Sequence, residues 1–298
     1  MSTRRVPDDA CGIAQAAAVV GDWWSLLVLR EIARGHHRFD RLADELGLSR
    51  KVLSERLRTL TDRNVLERRR YQDRPPRYEY VLTEQGLGLM PVLVSLQDWA
   101  DRWLLGDGTL TGRAADGGAE ARRVAALAGE AVPEGLRLPG TDGRDHDPLP
   151  PRAGATVLFA YPATGVPGIP ADLAGTPVPG SAGCTLESRR FRAAWPRFDA
   201  EGIAVRGVST QSPQEQAAFA EAEHLPFPLL SDAQLHLTAA LRLPTFRAGQ
   251  SLRIKRLILV VGPDRVIRHT IFPVTDIPAA VSQALALATE TRERVRMV

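Results

Sequence analysis

The 298-residue sequence predicts two domains of different class, an α+β domain followed by an α/β domain. Three observations carry this. Up to residue 105, short amphipathic helices lead into two strands joined by Asp73-Arg-Pro-Pro-Arg77, and then into a further helix. From Leu136 onward, strands alternate with helices and close on a strand pair and a long helix. Between them, Gly106-Asp-Gly-Thr-Leu-Thr-Gly112 and Asp116-Gly-Gly118 have the texture of a linker. The expected domains are therefore 1–105 and 136–298, with a linker over 106–135 that holds one optional helix from Ala119 to Ala131.

Taken in order, residues 11–34 read as helix, with Trp24, Leu27, Val28 and Ile32 as its apolar stripe and Gly35 as its stop. Phe39 to Leu46 is a second, short helix closed by Gly47. Ser49 is a natural N-cap for a third, because its hydroxyl can accept an orphan N–H of the first turn. Leu53, Leu57 and Leu60 fall at i, i+4 and i+7 and make an inward stripe. Arg50, Lys51, Ser54, Glu55 and Arg58 lie on the other side. A short helix, a glycine turn and a basic helix are a helix-turn-helix signature, and a hairpin directly after it is a wing with Arg74 and Arg77 at its tip. The net charge is only +3, yet Ser49 to Arg77 carries ten basic residues against four acidic ones. A local patch on a nearly neutral chain suggests a face for double-stranded DNA; a solvated charged surface is the plainer alternative.

Thr83 to Leu105 reads as one long helix. Leu89, Val92, Leu93, Leu96, Trp99, Trp103 and Leu104 are more apolar surface than so small a domain can bury, which points to a homodimer interface; packing inside its own domain is the alternative. No apolar run reaches the ~18 residues of a membrane span, and the first residues lack a secretory apolar core, so a cytoplasmic protein without a membrane partner is expected. The two cysteines, Cys11 and Cys184, do not make a disulfide scaffold. The six histidines offer no metal-ligand spacing, and His36-His37 would point apart on a helix. No metal site and no cofactor are expected.

Cys11-Gly-Ile13, Gly21-Asp-Trp-Trp24, Leu29-Arg-Glu-Ile32, Arg38-Phe-Asp-Arg-Leu42, Leu48-Ser-Arg-Lys-Val-Leu53 and Pro76-Arg-Tyr-Glu-Tyr80 together resemble the HxlR family of winged-helix transcription regulators. Trp23 departs from the Lys usual there. The resemblance implies a homodimer on a near-palindromic operator, and an N-terminal cysteine, here Cys11, that senses oxidants in some members. A small buried side chain is the other reading of Cys11.

In the second half, Thr156–Tyr161, Ala204–Ser209, Phe227–Leu230, Arg256–Val261 and Val266–Phe272 read as strands, with helices over Glu187–Ala200, Pro213–Glu223, Ala233–Leu241 and Ile277–Glu293. That order is thioredoxin-like. Pro177-Val-Pro-Gly-Ser181-Ala-Gly-Cys184-Thr185 precedes a helix, and a cysteine at a helix start gains the positive end of the dipole, which favours thiolate. Arg256 is the candidate cation for it. With Phe159-Ala-Tyr-Pro162, Gly207-Val-Ser-Thr-Gln211, Leu225-Pro-Phe-Pro-Leu-Leu-Ser-Asp232 and Leu243-Pro-Thr-Phe246, this stretch resembles the AhpC/TSA peroxiredoxins of the bacterioferritin-comigratory branch.

The resemblance implies Cys184 as the peroxidatic residue, Ser181 as the peroxide hydroxyl, Pro177 as a shield and Arg256 as the activating cation. An inert buried thiol is the alternative for Cys184. Ser181 stands where the branch has Thr. Arg189 stands where it commonly has a resolving cysteine, and with Arg190 is expected to add positive potential near the thiol. The expected function is a redox-responsive regulator: the winged helix binds DNA as a dimer, and the peroxiredoxin-like domain senses peroxide or another oxidant through Cys184, with Cys11, a small thiol or thioredoxin as its redox partner. The alternatives are a one-cysteine thiol peroxidase with an appended winged helix, and a redoxin fold that binds a ligand without redox chemistry.

Overall fold

The computed structural model describes residues 10–105, 117–164, 183–248 and 250–296, and it divides into two compact units, residues 1–93 and 94–298. The first unit opens with α1 (Gly12–Val20) and α2 (Trp23–Ala33) in place of one helix. The break has a local cause: Asp22 is extended and caps α2 by accepting from the Ser25 N–H at 3.0 Å. Next come α3 (Phe39–Leu46), stopped by Gly47 at φ +60°, and α4 (Arg50–Asp62), capped by Ser49. Leu42, Leu53, Leu57 and Leu60 are buried with Val28, Leu29 and Ile32 in one core. The strands β1 (Leu66–Gln72) and β2 (Arg77–Leu82) form the expected antiparallel hairpin, and Arg38 bridges to Glu79 beside it.

The expected long helix is also two: α5 (Glu84–Leu87), capped by Thr83, and α6 (Met90–Trp103). The division between units falls inside α6. Leu89 and Leu93 pack on the first core. Beyond Val94, the helix is tied to the second unit: Gln97 donates to the Leu243 carbonyl at 3.0 Å, Asp98 pairs with Arg247 at 3.3 Å, and Asp101 accepts both nitrogens of Arg123 at 2.8 and 2.6 Å. The stripe Val92, Leu96, Trp99 and Trp103 stays exposed.

The second unit corrects the linker reading for residues 117–135. Here α7 (Ala119–Ala125) is packed, and Val124, Leu127 and Val132 are buried. The reason is apolar spacing: Leu127 and Val132 join a core with Leu138, Leu158 and Leu259. The short pair β3 (Leu138–Pro139) and β4 (Asp145–His146) leads to β5 (Ala155–Ala160), the centre of the main sheet. Then follow α8 (Cys184–Ala200), β6 (Ile203–Ser209), α9 (Pro213–Ala222), β7 (Leu229–Ser231) and α10 (His236–Leu241). Asp232 caps α10, accepting from the Leu237 and Thr238 N–H groups at 3.0 and 2.8 Å. The hairpin β8 (Thr245–Ala248) and β9 (Ser251–Ile254), absent from the sequence reading, precedes β10 (Leu257–Val261), β11 (Ile267–Ile271) and α11 (Ile277–Arg296).

The sheet order is β11-β10-β5-β6-β7, with β5, β6 and β7 parallel and β10 antiparallel to both its neighbours. Strand alternation gives it two covered faces. Val157, Phe159, Ile258 and Val260 face α8, α9 and α11; Leu158, Ala160, Leu257 and Leu259 face α10 and the residues after α7. Among the described residues no single helix is long and apolar enough to cross a membrane.

Candidate functional site

The start of α8 builds the thiol site. Gly183 is its N-cap at φ +107°, a backbone conformation that side-chain-bearing residues rarely adopt, so the dihedral favours glycine. Cys184 is therefore the first helical residue, three positions earlier than the sequence suggested. Its side chain is 3% exposed, in the cluster that contains Phe159, Tyr161 and Phe191. Phe159 stacks on Phe191 at 4.3 Å and makes the apolar floor.

Arg256, which directly precedes β10, donates from Nη2 to the Cys184 Sγ at 3.3 Å and from Nη1 to Glu187. Glu187 is one helical turn after Cys184, on the same inward face, and fully buried. Burial pushes the Cys184 thiol up; the Arg256 charge pulls it down, the Glu187 charge adds to the rise, and a hydrogen bond with the Ala163 backbone lowers it, leaving it above the ordinary range. The helix start favours the thiolate, and at 3% exposure desolvation opposes it. Glu187 is itself lifted to about 7 by burial, against the Arg256 charge and hydrogen bond. Tyr161 is buried beside them and donates to Gln216 at 3.0 Å; burial drives its phenol up. The sequence reading missed Glu187, although its i+3 spacing from a helix-opening cysteine marks it.

Arg189, expected to add potential near the thiol, is engaged by Glu223. Its guanidinium is over half exposed and pairs with Glu223 through two bonds of 2.8 and 2.7 Å, with Arg192 beside it.

On the first unit, Lys51, Ser54 and Arg58 project from the exposed side of α4. Arg50 is held by Asp40 at 2.8 Å and lies over the Phe39 ring. Arg74 and Arg77 are exposed at the hairpin turn.

An uncharacterised HTH-type transcriptional regulator of Mycobacterium tuberculosis is 42% identical over 92 residues, 31% of this chain; the chain spans 58% of that relative's length. Another, of Synechocystis sp., is 39% identical over 95 residues, 32% of this chain and 70% of that protein. Residues 19–107 match the HxlR-like helix-turn-helix family. The chain belongs to the HxlR-like helix-turn-helix family. Its C-terminal unit is a peroxiredoxin-like domain of the AhpC/TSA family, matched over residues 138–270. The crystal structure of peroxidoxin BcpB from Mycobacterium tuberculosis is similar at 29% identity over 55% of this chain and 96% of that one, with a TM-score of 0.45.

Of the expected AhpC/TSA set, the structure brings Cys184 and Arg256 together; Pro177 and Ser181 lie outside the described residues. In the HxlR unit, Cys11 is the partly exposed N-cap of α1 and makes no side-chain cap. The HxlR unit also brings one ligand atom each of Glu31, His36 and Glu45 within 4.8 Å of one another. Buried Glu31 is already engaged there by Arg30, Arg34 and His36. Burial acts to raise its pKa, and those partners, His36 first, outweigh it and hold the carboxyl at about 2.

Proposed function

We propose that the protein is a redox-responsive transcription regulator. Its HxlR unit binds operator DNA as a homodimer, and its peroxiredoxin-like unit senses a hydroperoxide through Cys184. The observation that carries this is the Arg256 guanidinium 3.3 Å from the Cys184 sulfur, in a chain that also belongs to a DNA-binding family. The chemistry is a two-electron exchange. The Cys184 thiolate attacks one peroxide oxygen, the S–O bond forms as the O–O bond breaks, and sulfur becomes sulfenic acid. The departing alkoxide or hydroxide takes a proton and leaves as alcohol or water. Arg256 stabilises the thiolate and the charge that develops on the peroxide.

Arg50, Lys51, Ser54 and Arg58 on α4 are assigned to the operator's base edges and phosphates, and Arg74 and Arg77 to phosphates flanking them. The exposed Val92, Leu96, Trp99 and Trp103 stripe supports a second copy as partner. A small thiol or thioredoxin is the proposed reductant, since Arg189 cannot resolve the sulfenic acid.

The test measures binding of the reduced and peroxide-treated protein to a duplex selected by the reduced form from a random pool. The wild type is expected to change affinity and Cys184→Ser not to. An unchanged response in Cys184→Ser would overturn the assignment of the sensor.

A further inference from the structure

We infer that two ion pairs, Lys255–Glu120 and Arg123–Asp101, carry the oxidation state of Cys184 from Arg256 to α6; this rests on the reading of Cys184 as the sensor. Strand alternation continues through the residues before β10. Even-numbered Arg256 projects to the face that holds Cys184, and odd-numbered Lys255 to the opposite face. Lys255 is one of two lysines in the sequence and is completely buried, with Nζ 2.5 Å from Oε2 of Glu120 on α7. One turn along α7, Arg123 holds Asp101 of α6 with both nitrogens and donates to the Arg242 carbonyl at 3.1 Å. Adjacent residues on one backbone thus anchor the thiol on one side of the sheet and α7 on the other. Gln97 and Asp98 add two more ties between α6 and residues 243–247.

Oxidation by a hydroperoxide adds an oxygen atom to a sulfur that is 3% exposed and turns the thiol beside Arg256 into a sulfenic acid. A close-packed interior does not absorb an extra heavy atom without displacing its neighbours. Arg256 and Glu187 are the charged neighbours, both almost fully buried, and Arg256 shares its backbone with Lys255. Lys255 and Glu120 are held together, because drawing apart two opposite charges in contact in that interior is unfavourable; α7 therefore follows Lys255. Through Arg123 the displacement reaches Asp101. The helix that bears Asp101 runs without a break back to Leu93, which packs in the winged-helix core.

The test uses the full chain with hydrogen peroxide as oxidant and compares wild type with Asp101→Asn, Glu120→Gln and the apolar replacement Glu120→Leu/Lys255→Met, which removes the pair without leaving a buried charge. Three quantities are read: Cys184 oxidation by intact mass, hydrogen exchange of residues 94–103, and affinity for the selected duplex. In the wild type, oxidation is expected to change exchange in α6 and to alter affinity by about 5- to 150-fold, the ordinary range of coupling between sites. In Asp101→Asn and in the double replacement, Cys184 is expected to oxidise at the wild-type rate while the affinity change falls below about 2-fold. Variants that oxidise normally and keep the full affinity response would overturn the relay. A wild type whose α6 exchange is untouched by oxidation would do the same. Failure of the sensor reading looks different: the response then survives Cys184→Ser.

Discussion

Arg189 and Glu223 clasp each other through two hydrogen bonds, 2.8 and 2.7 Å long, between α8 and the end of α9. A guanidinium thus fills the position five residues after Cys184, and this shapes what oxidation can produce. One equivalent of hydrogen peroxide is expected to add a single oxygen at Cys184, and excess peroxide a second, because no local thiol caps the sulfenic acid. In the presence of a small thiol such as glutathione, the mixed disulfide is expected instead. Intact mass followed by peptide mapping reads each product; a loss of two hydrogens in the monomer would reveal a Cys11–Cys184 bridge in its place.

Glu187 and Arg256 act on the thiol in opposite senses. Replacing Glu187 by Gln removes a buried negative charge and is expected to lower the midpoint of the pH profile for Cys184 alkylation. Arg256→Met removes the cation and is expected to raise it. Iodoacetamide labelling across pH 6–10 checks both, and equal midpoints in the two variants would contradict the electrostatic account.

Buried carboxyls of the two units carry pH dependences of opposite sign. Glu187 and Asp232 have folded-state pKa values lifted by burial to about 7 and about 6, above their unfolded values. Their contribution is full below about pH 4 and is lost as pH rises through 6 to 7. Glu31 is held at about 2, so its contribution is present above about pH 4.5 and is lost as pH falls toward 2. Hydrogen exchange between pH 3 and 8 is expected to show the amides around Glu187 and Asp232 losing protection upward and those around Glu31 losing it downward. Glu187→Gln is expected to flatten the first trend, since a neutral amide no longer titrates.

Arg74→Ala is expected to weaken binding to every duplex sequence alike and to reduce the salt slope by about one unit, as loss of one phosphate contact does. A charged pair at Leu96 and Trp99 is expected to give a monomer on sedimentation.

Much of this was legible where periodicity is local. The leucines of α4, the glycine stop after α3, the Pro-rich turn of the wing and the continuous apolar runs of β5 and β10 each depend on a few consecutive residues. Three features were not. The breaks at Asp22 and Gly88 interrupt apolar patterns that continue across them, so one helix was read where two exist. The β8–β9 hairpin is short and carries Arg247 and Arg253, so its strands lack a clean apolar alternation. The direction of the Cys184 shift depends on burial contributed by residues far away in sequence, which spacing around the cysteine does not report.

The buried Lys255–Glu120 pair has a practical bearing on how the protein can be divided. A fragment starting at residue 136, the boundary that composition suggests, would remove Glu120 and break its pair with the buried Lys255 ammonium, and deleting one partner of such a pair costs about 3–5 kcal/mol. It would also uncover the apolar neighbours of Leu127 and Val132. The segment joining the two families is thus part of the redoxin's own foundation, and excision has to begin upstream of α7 for the remainder to stand.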